Sequence, residues 1–73
     1  MTELDCTGMN CPLPIVRISQ TIRALAAGEL LRVKASDPAF GADVSAWVRK
    51  TGHELVEFSD QGVQTAVIRK AAS

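Results

Sequence analysis

The sequence has no tyrosine, one tryptophan, two phenylalanines and one histidine, and its charges show no excess of either sign. Eight acidic residues balance eight basic ones, which argues against a nonspecific nucleic-acid-binding protein, because such proteins carry a clear basic excess. No apolar run approaches the length of a membrane span, and no charged start leads into an apolar segment. We therefore expect a cytoplasmic protein with neither a membrane nor a stable nucleic-acid partner.

Cysteine is also scarce, with Cys6 and Cys11 the two in the chain. Two cysteines in a small cytosolic protein more often serve chemistry than act as structural staples. The chain is 73 residues long and 47% hydrophobic, which favours a folded globule over disorder. We expect a single domain over residues 1–73 with a thin core.

The most informative segment is residues 10–14, where Cys11 precedes two closely spaced prolines. Residues 15–27 have the apolar spacing of an amphipathic helix, so Cys11 is predicted at the helix N-cap, where the helix dipole stabilises a thiolate. The prolines leave Leu13 as the one free backbone donor of the first turn, so few hydrogen bonds would weaken the nucleophile. The alternative is a small buried cysteine before a proline-initiated helix, and this segment alone leaves both readings open.

The pattern of apolar residues and turn residues predicts six elements in the order βαβαββ. Their predicted bounds are 3–6, 15–27, 30–36, 38–51, 53–59 and 63–70. A strand, a helix and a second strand of these lengths favour a right-handed parallel crossover. The predicted fold is a two-layer α/β sandwich, a four-stranded mixed sheet with both helices on one face.

Residues with special backbone roles bound these elements. Gly8 is expected to turn the chain into the first helix, and Gly28 to cap the end of that helix. Asp37 is the expected N-cap of the second helix, and Gly52 its end. A tight turn is expected at residues 60–62, which makes the last two strands a hairpin.

Periodicity also predicts which side chains face inward. The inward residues of the helices are expected to be Ile15, Val16, Ile18, Ile22, Leu25, Phe40, Val44, Trp47 and Val48. Those of the last two strands are expected to be Val56, Phe58, Ala66 and Ile68. Leu13 is left open, either inward or part of an apolar collar around Cys11. The open face of the sheet is expected to carry Arg32, Lys34, Leu55, Glu57, Thr65, Val67 and Arg69, with Leu55 and Val67 as ordinary exposed surface.

Other candidate site residues have a structural explanation that we favour. His53 is the only histidine and is a weak candidate for a catalytic base, because a histidine at a strand start is more often a surface or capping residue. Asp43 is better explained by the helix dipole than by catalysis. Cys6 is expected to be a buried strand residue, with a resolving-thiol role second. No metal site is expected, because both cysteines and His53 give only three ligands.

The segment Leu4-Asp5-x-x-Gly8-Met9-x-Cys11-Pro12-Leu13-Pro14 resembles the signature of the TusA/SirA-type sulfur-carrier family. The likeness continues through residues 25–28, 36–38, 43–44, 52–55 and 68–70. It implies that Cys11 carries sulfur as a persulfide, in a motif that includes Gly8 and Leu13, and that Pro12 and Pro14 shape its surroundings. The sulfur exchange itself needs no cofactor, and we expect a carrier of this small size to be a monomer that forms transient complexes. Its transient partners would be a donor (a cysteine desulfurase or rhodanese-type protein) and a DsrE-like acceptor.

The sequence thus favours a sulfur carrier that acts as a sulfurtransferase. The cargo would be sulfane sulfur or thiosulfonate, destined for tRNA thiolation, molybdenum cofactor assembly or sulfur oxidation. One alternative is a thiol redox module that cycles through a Cys6–Cys11 disulfide. The other is a non-catalytic RNA or protein interaction module. It would use the open sheet face, where Arg32, Lys34 and Arg69 supply the positive charge.

Overall fold

The elements follow one another in the predicted order. The structure, a computed structural model, describes residues 1–10 and 12–71. Its elements are β1 (Thr2–Cys6), α1 (Leu13–Ile22), β2 (Leu30–Ala35), α2 (Phe40–Thr51), β3 (Glu54–Gln61) and β4 (Val63–Arg69). The βαβαββ order is therefore confirmed.

The sheet is mixed, with strand order β1-β2-β4-β3. β1 runs parallel to β2, and β4 runs antiparallel to both of its neighbours, β2 and β3. Buried side chains of both helices join those of the strands in one hydrophobic cluster, which places the helices on the same face. The predicted two-layer α/β arrangement is confirmed.

The central strand β2 supplies the middle of this cluster. Leu31, Val33 and Ala35 alternate along it and are fully buried, whereas Lys34 between them is exposed. Three of their partners across the sheet are also fully buried: Cys6 of β1, and Ala66 and Ile68 of β4. The strict alternation of period two in β2 thus fixes which face of the sheet the helices cover.

Helix α1 is shorter than predicted and is rotated differently. Its buried residues are Pro14, Ile18 and Ile22, spaced by four. Val16 lies two residues from Pro14 and Ile18, about 200° around the helix, and is 42% exposed, so its predicted inward orientation is wrong. Leu13, which was left open, is 52% exposed.

The predicted end of α1 at residue 27 is also wrong, because the helix stops at Ile22. After Ile22 the chain continues in turns, which are held by local bonds such as that from the Leu25 N–H to the Ile22 carbonyl (3.2 Å) and also by a distant residue. The Lys70 ammonium group, from the chain just after β4, donates to the carbonyl of Leu25 (2.5 Å) and to that of Arg23 (3.4 Å). A cation near a helix C-terminus satisfies carbonyls that have no helical partner. Gly28 is therefore not the C-cap, and its N–H donates to the Lys70 carbonyl instead.

Helix α2 begins at Phe40, after a turn over Asp37. The Asp37 side chain accepts a hydrogen bond from the Ala39 N–H (3.0 Å) and the Asp37 carbonyl accepts one from the Phe40 N–H (3.0 Å). Asp37 thus shapes the turn before the helix, while Ala39 occupies the N-cap position, so the helix starts two residues later than predicted. Gly52 ends the helix as predicted, with its N–H bonded to the Val48 carbonyl.

The start of α2 is held by a residue of the sheet. Gln64 of β4 is 7% exposed; its side-chain carbonyl accepts from the Gly41 N–H (3.0 Å) and its amide donates to the Asp37 carbonyl (2.7 Å). A Cβ on Gly41 would lie 3.1 Å from the Phe58 ring and 3.4 Å from the Gln64 oxygen. The absence of a side chain at Gly41 lets the helix approach the sheet closely enough for this bond.

A β-bulge in β3 changes which of its side chains face the helices. The register shifts between Leu55, which pairs with Ile68, and Glu57, which pairs with Val67. Both Leu55 and Phe58 consequently lie on the helix side, although strict alternation assigns them to opposite faces. Leu55 packs on the core, and the Phe58 ring lies 6.4 Å from that of Phe40 while remaining 40% exposed at the sheet edge.

Three predictions for this hairpin are corrected by the bulge and by the packing of β4. Val56 is 42% exposed, not inward. Leu55 is not on the open face, and Val67, although on that face, is only 7% exposed. The predicted exposed pair of Leu55 and Val67 is therefore wrong. The hairpin turn is tighter than predicted, because β3 extends to Gln61 and only Gly62 separates it from β4.

The Gln64 side chain should contribute measurably to stability. We expect Gln64→Ala to lower the free energy of unfolding by about 1–3 kcal/mol, because the part-buried Gly41 N–H loses its acceptor. Urea unfolding followed by circular dichroism measures this. Gln61→Ala, which removes the same side chain from an exposed position at the end of β3, is the control and should stay within about 0.5 kcal/mol of the wild type. Equal effects of the two substitutions would contradict the role given to Gln64.

Candidate functional site

The candidate site is the connection between β1 and α1, residues 7–12. Because β1 and β2 are parallel, the C-terminal ends of both strands lie at the same edge of the sheet. The loop after β1 therefore runs beside the Ser36 turn after β2. Cys11 itself lies outside the described residues, so the site is built here from the residues that surround it in the chain.

The beginning of the loop is held by a carboxylate. The Thr7 hydroxyl (2.6 Å) and the Thr7 N–H (3.0 Å) both donate to the same oxygen of Asp5. These bonds, with a smaller contribution from the Lys34 charge, hold the pKa of the Asp5 carboxyl below its usual value. The Met9 N–H donates to the Cys6 carbonyl (3.2 Å), so the chain turns back immediately after β1.

Gly8 and Ser36 join the loop to the end of β2. Gly8 has a φ of +82°, a conformation that favours glycine and agrees with the turn predicted there. Its N–H donates to the Ser36 hydroxyl oxygen at 2.9 Å. This contact links the loop to a residue 28 positions later in the chain.

The N-terminus of α1 differs from the prediction in two respects. Pro12, not Cys11, occupies the N-cap position, so the helix begins at Leu13. The Leu13 N–H, predicted to be a free donor, donates to the Asn10 carbonyl at 2.8 Å. Pro14 has no N–H and is buried against the core. Neither Leu13 nor Pro14 therefore offers a free backbone N–H.

Apolar surface surrounds this end of the helix. Leu13 and Val16 are 52% and 42% exposed, and both lie within five residues of Cys11 in the chain. A groove runs from Pro12 between the two helices. It is lined by Pro12, Ile15, Val16, Ser19, Gln20, Arg23 and Trp47, and its continuation along α2 by Asp43, Ala46 and Lys50. The apolar collar considered for Leu13 thus agrees with the exposure of Leu13 and Val16.

Cys6 is fully buried at the end of β1 and is a free thiol. Burial raises the pKa of the Cys6 thiol above its ordinary value, and the charge of Arg17 offsets this only in part. A buried thiol with a raised pKa forms little thiolate near neutral pH. The structure therefore supports the packing role of Cys6 and disfavours a redox module that needs Cys6 as a resolving thiol.

The contacts of His53 and the position of Asp43 indicate structural roles for both residues. The His53 ring stacks on Trp47 with 5.2 Å between ring centroids, and its Nδ1 accepts a hydrogen bond from the Ala71 N–H (2.9 Å). His53 thus holds the chain after β4 against α2. Asp43 lies in the first turn of α2, where its charge complements the helix dipole, and it lines the groove close to Pro12.

The cations proposed for RNA binding face carboxylates. Arg69 pairs with Glu54 at 2.8 Å, and Arg32 lies 3.8 Å from Glu3. Lys34 lies opposite Asp5 in the β1–β2 register. Each positive charge on this face therefore has a negative neighbour, which weakens the field that a phosphate backbone would meet.

Within the described parts of the chain, no three His, Cys, Asp or Glu side chains come together in a group that could hold a metal ion. Across residues 1–10 and 12–71, neither helix is long and apolar enough to cross a bilayer.

Comparison with known proteins agrees with the sequence resemblance. The family model described as sulfurtransferase TusA matches residues 2–70. The chain belongs to the TusA sulfurtransferase family. Among the curated members of the TusA family, the sulfur carrier protein TusA of Allochromatium vinosum is 45% identical over 60 residues, 82% of this chain and 79% of that protein. The sulfur carrier protein TusA of Pseudomonas putida is 44% identical over 70 residues, which are 94% of this chain and 88% of that protein.

A solved structure gives independent support for the TusA-family fold. The SirA-like protein of Desulfitobacterium hafniense superposes with a TM-score of 0.83, covering 97% of this chain and 99% of that one. The two sequences are 23% identical, so this likeness concerns the fold.

Sequence reasoning did not single out Ser36 or Gln64, which together hold the surroundings of the TusA-family motif. Ser36 lies in one of the segments that carry the family resemblance, but its partner Gly8 is 28 positions away and their contact has no signal in the sequence. Gln64 is polar at a position that alternation assigns to the buried face, since it pairs with Ala35. A polar residue on a buried face is the one signal that a specific hydrogen-bonding role existed.

The burial of Cys6 leads to a prediction about its reactivity. We expect the rate at which iodoacetamide modifies Cys6 to be at least about tenfold lower in the native protein than in the urea-unfolded protein. The reason is that the native thiol is both inaccessible and poorly ionised. Digestion and mass spectrometry measure the modification of each cysteine. Rapid native labelling of Cys6 would contradict its buried position and revive the redox alternative.

Proposed function

We propose that this chain is a sulfur carrier that accepts sulfane sulfur on Cys11 as a persulfide and passes it to a partner protein. The observation that carries the proposal is the TusA family match over residues 2–70, in a chain whose other thiol, Cys6, is buried with a raised pKa. The relatives from A. vinosum and P. putida are both named sulfur carrier proteins. Cys11 is therefore the thiol proposed to carry the cargo.

The first transfer is a thiol–persulfide exchange. The Cys11 thiolate attacks the outer sulfur of a donor persulfide, R–S–SH. A new sulfur–sulfur bond forms at Cys11, the donor's sulfur–sulfur bond breaks, and its electron pair leaves on the donor as the thiolate R–S⁻. The products are Cys11–S–SH and the donor thiolate, and no external oxidant or reductant is needed.

The second transfer repeats the same chemistry with the roles exchanged. An acceptor thiolate attacks the outer sulfur of Cys11–S–SH, takes up the SH group and releases the Cys11 thiolate. A carrier must be both a good nucleophile and a good leaving group, and a thiol that titrates near ambient pH meets both needs. The two prolines next to Cys11 limit the number of backbone donors that would over-stabilise its anion.

Both steps require that a second protein reach Cys11. We propose that the donor is a cysteine desulfurase or a rhodanese-type protein, and that the acceptor is DsrE-like. The exposed side chains of Leu13 and Val16, with the groove that begins at Pro12, form the apolar surface against which such partners would rest. We propose a monomeric cytoplasmic carrier that acts as one domain.

The sulfur-accepting residue is tested by uptake from a donor. We expect Cys11→Ser to abolish the reductant-sensitive mass gain of one sulfur that the wild type shows after incubation with a cysteine desulfurase and cysteine, because the nucleophile is gone. Intact-protein mass spectrometry followed by digestion measures and locates the adduct. Cys6→Ala is the control and should load like the wild type.

Uptake of sulfur by Cys11→Ser, or an adduct on Cys6, would contradict the assignment. A parallel incubation with tetrathionate shows whether the same residue also takes up sulfur from an oxidised inorganic donor. Thermal unfolding of each variant verifies that the loss reflects chemistry and not folding.

The partner surface is tested by a matched pair of charge substitutions. Val16 beside the site and Val56 on the sheet are both 42% exposed. We expect Val16→Asp to slow sulfur uptake from the donor protein roughly tenfold, because an ion replaces apolar contact area at the centre of the interface. Val56→Asp should leave the rate within about twofold of the wild type. Equal rates for the two variants would contradict the proposed surface.

A further inference from the structure

We propose that Ser36 is a positioning residue for the sulfur-accepting cysteine, an inference that rests on the proposed role of Cys11. The contact that carries it is the 2.9 Å hydrogen bond from the Gly8 N–H to the Ser36 hydroxyl oxygen. Gly8 lies three residues before Cys11 in the chain and has a φ of +82°. The bond therefore acts where the backbone changes direction towards the site.

Ser36 is a suitable anchor because both of its chain neighbours are held firmly. Ala35 is fully buried and lies in register with Cys6 of β1 and with Gln64 of β4. On the other side, the Asp37 carbonyl accepts from the Gln64 side chain (2.7 Å) and from the Phe40 N–H (3.0 Å). The Ser36 hydroxyl thus projects from a fixed point between the sheet and the start of α2.

Among the described residues of the loop, Gly8 is held by a long-range hydrogen bond, the one to Ser36. The bonds from Thr7 to Asp5 and from Met9 to Cys6 tie the turn to the end of β1, which is paired with β2, whereas the Ser36 bond joins the loop directly to the chain after β2. The Met9 side chain packs on the core, which helps to hold the loop down. Of these contacts, the Ser36 bond is a hydrogen bond between distant parts of the chain. It ties the loop to the residue that directly follows β2, the strand that packs beneath both helices.

A displaced loop would alter the environment of the thiol. If Cys11 is held close to the N-terminus of α1, the helix dipole favours its thiolate. Loss of the Ser36 hydroxyl releases the Gly8 N–H to water and widens the range of positions open to the loop. The thiolate is then less stabilised and less often presented correctly to a partner.

The test compares Ser36→Ala with Ser36→Thr, which keeps the hydroxyl, and with Ser59→Ala, which removes a hydroxyl from an exposed position in β3. The rate of Cys11 alkylation by iodoacetamide is measured as a function of pH, with the buried Cys6 as an internal reference. We expect Ser36→Ala to move the midpoint of the pH–rate curve upward and to slow sulfur uptake from a desulfurase about three- to tenfold, the effect of one typical hydrogen bond. The other two variants should follow the wild type.

Thermal unfolding separates positioning from stability, and all rates are taken at a temperature where every variant is folded. A Ser36→Ala curve and uptake rate equal to those of the wild type would overturn the proposal, as would a Ser36→Thr variant that is equally impaired. A wild type that takes up no sulfur would refute the proposed function alone, because the alkylation curves still decide whether Ser36 positions Cys11.

Discussion

The burial of one face of β2 is the constraint on which the rest of the molecule depends. Leu31, Val33 and Ala35 are fully buried beneath the helices, and a slip of one residue would expose all three. The same register sets Ala35 beside Cys6 and, one residue later, places Ser36 at the edge where the loop after β1 emerges. Core packing and site geometry are thus two consequences of a single strand register.

Hydrogen bonds at that edge of the sheet hold the adjoining loops in positions that the strand register determines. Gln64, buried opposite Ala35, reaches Asp37 and Gly41 and so fixes where α2 begins. Ser36, next to Asp37, reaches Gly8 and holds the loop before Cys11. A small protein has little core with which to immobilise its loops, and a few polar contacts anchored in the sheet supply the missing rigidity.

The fold was largely predictable because its determinants are local and periodic. The alternation in β2 and the helical spacing of Ile18 and Ile22 predict the elements, and the order βαβαββ leaves few ways to bury them. The details that were predicted wrongly involve contacts between parts of the chain that are far apart in the sequence. Lys70, from the other end of the chain, binds carbonyls just past the end of α1, and the bulge at Val56 becomes apparent only when β3 pairs with β4.

The candidate site was also predictable only in part: its local motif could be recognised in the sequence, and its long-range contacts could not. The Cys-Pro-x-Pro segment made Cys11 a candidate from residue types, because a thiol before prolines at a helix start has a specific chemical consequence, and the family resemblance then favoured it over a buried structural cysteine. The contact between Gly8 and Ser36 was not predicted, since a serine and a glycine 28 positions apart carry no joint pattern in the sequence. Exposure was misjudged for Val16 because the stripe was counted without Pro14, whose burial sets the rotation of the helix.

The distribution of thiols and charges argues for a carrier over the two alternatives. Cys6 lies inside the core with a raised pKa, so a redox cycle between the cysteines would require the end of β1 to open. On the opposite side of the sheet, Arg32, Lys34 and Arg69 each face a carboxylate, which leaves that surface electrostatically balanced. The exposed apolar side chains of Leu13 and Val16 lie instead at the start of α1, within five residues of the motif cysteine in the chain. A protein that hands one atom between two thiols needs a contact face near its thiol, and Leu13 and Val16 give the start of α1 such exposed apolar side chains.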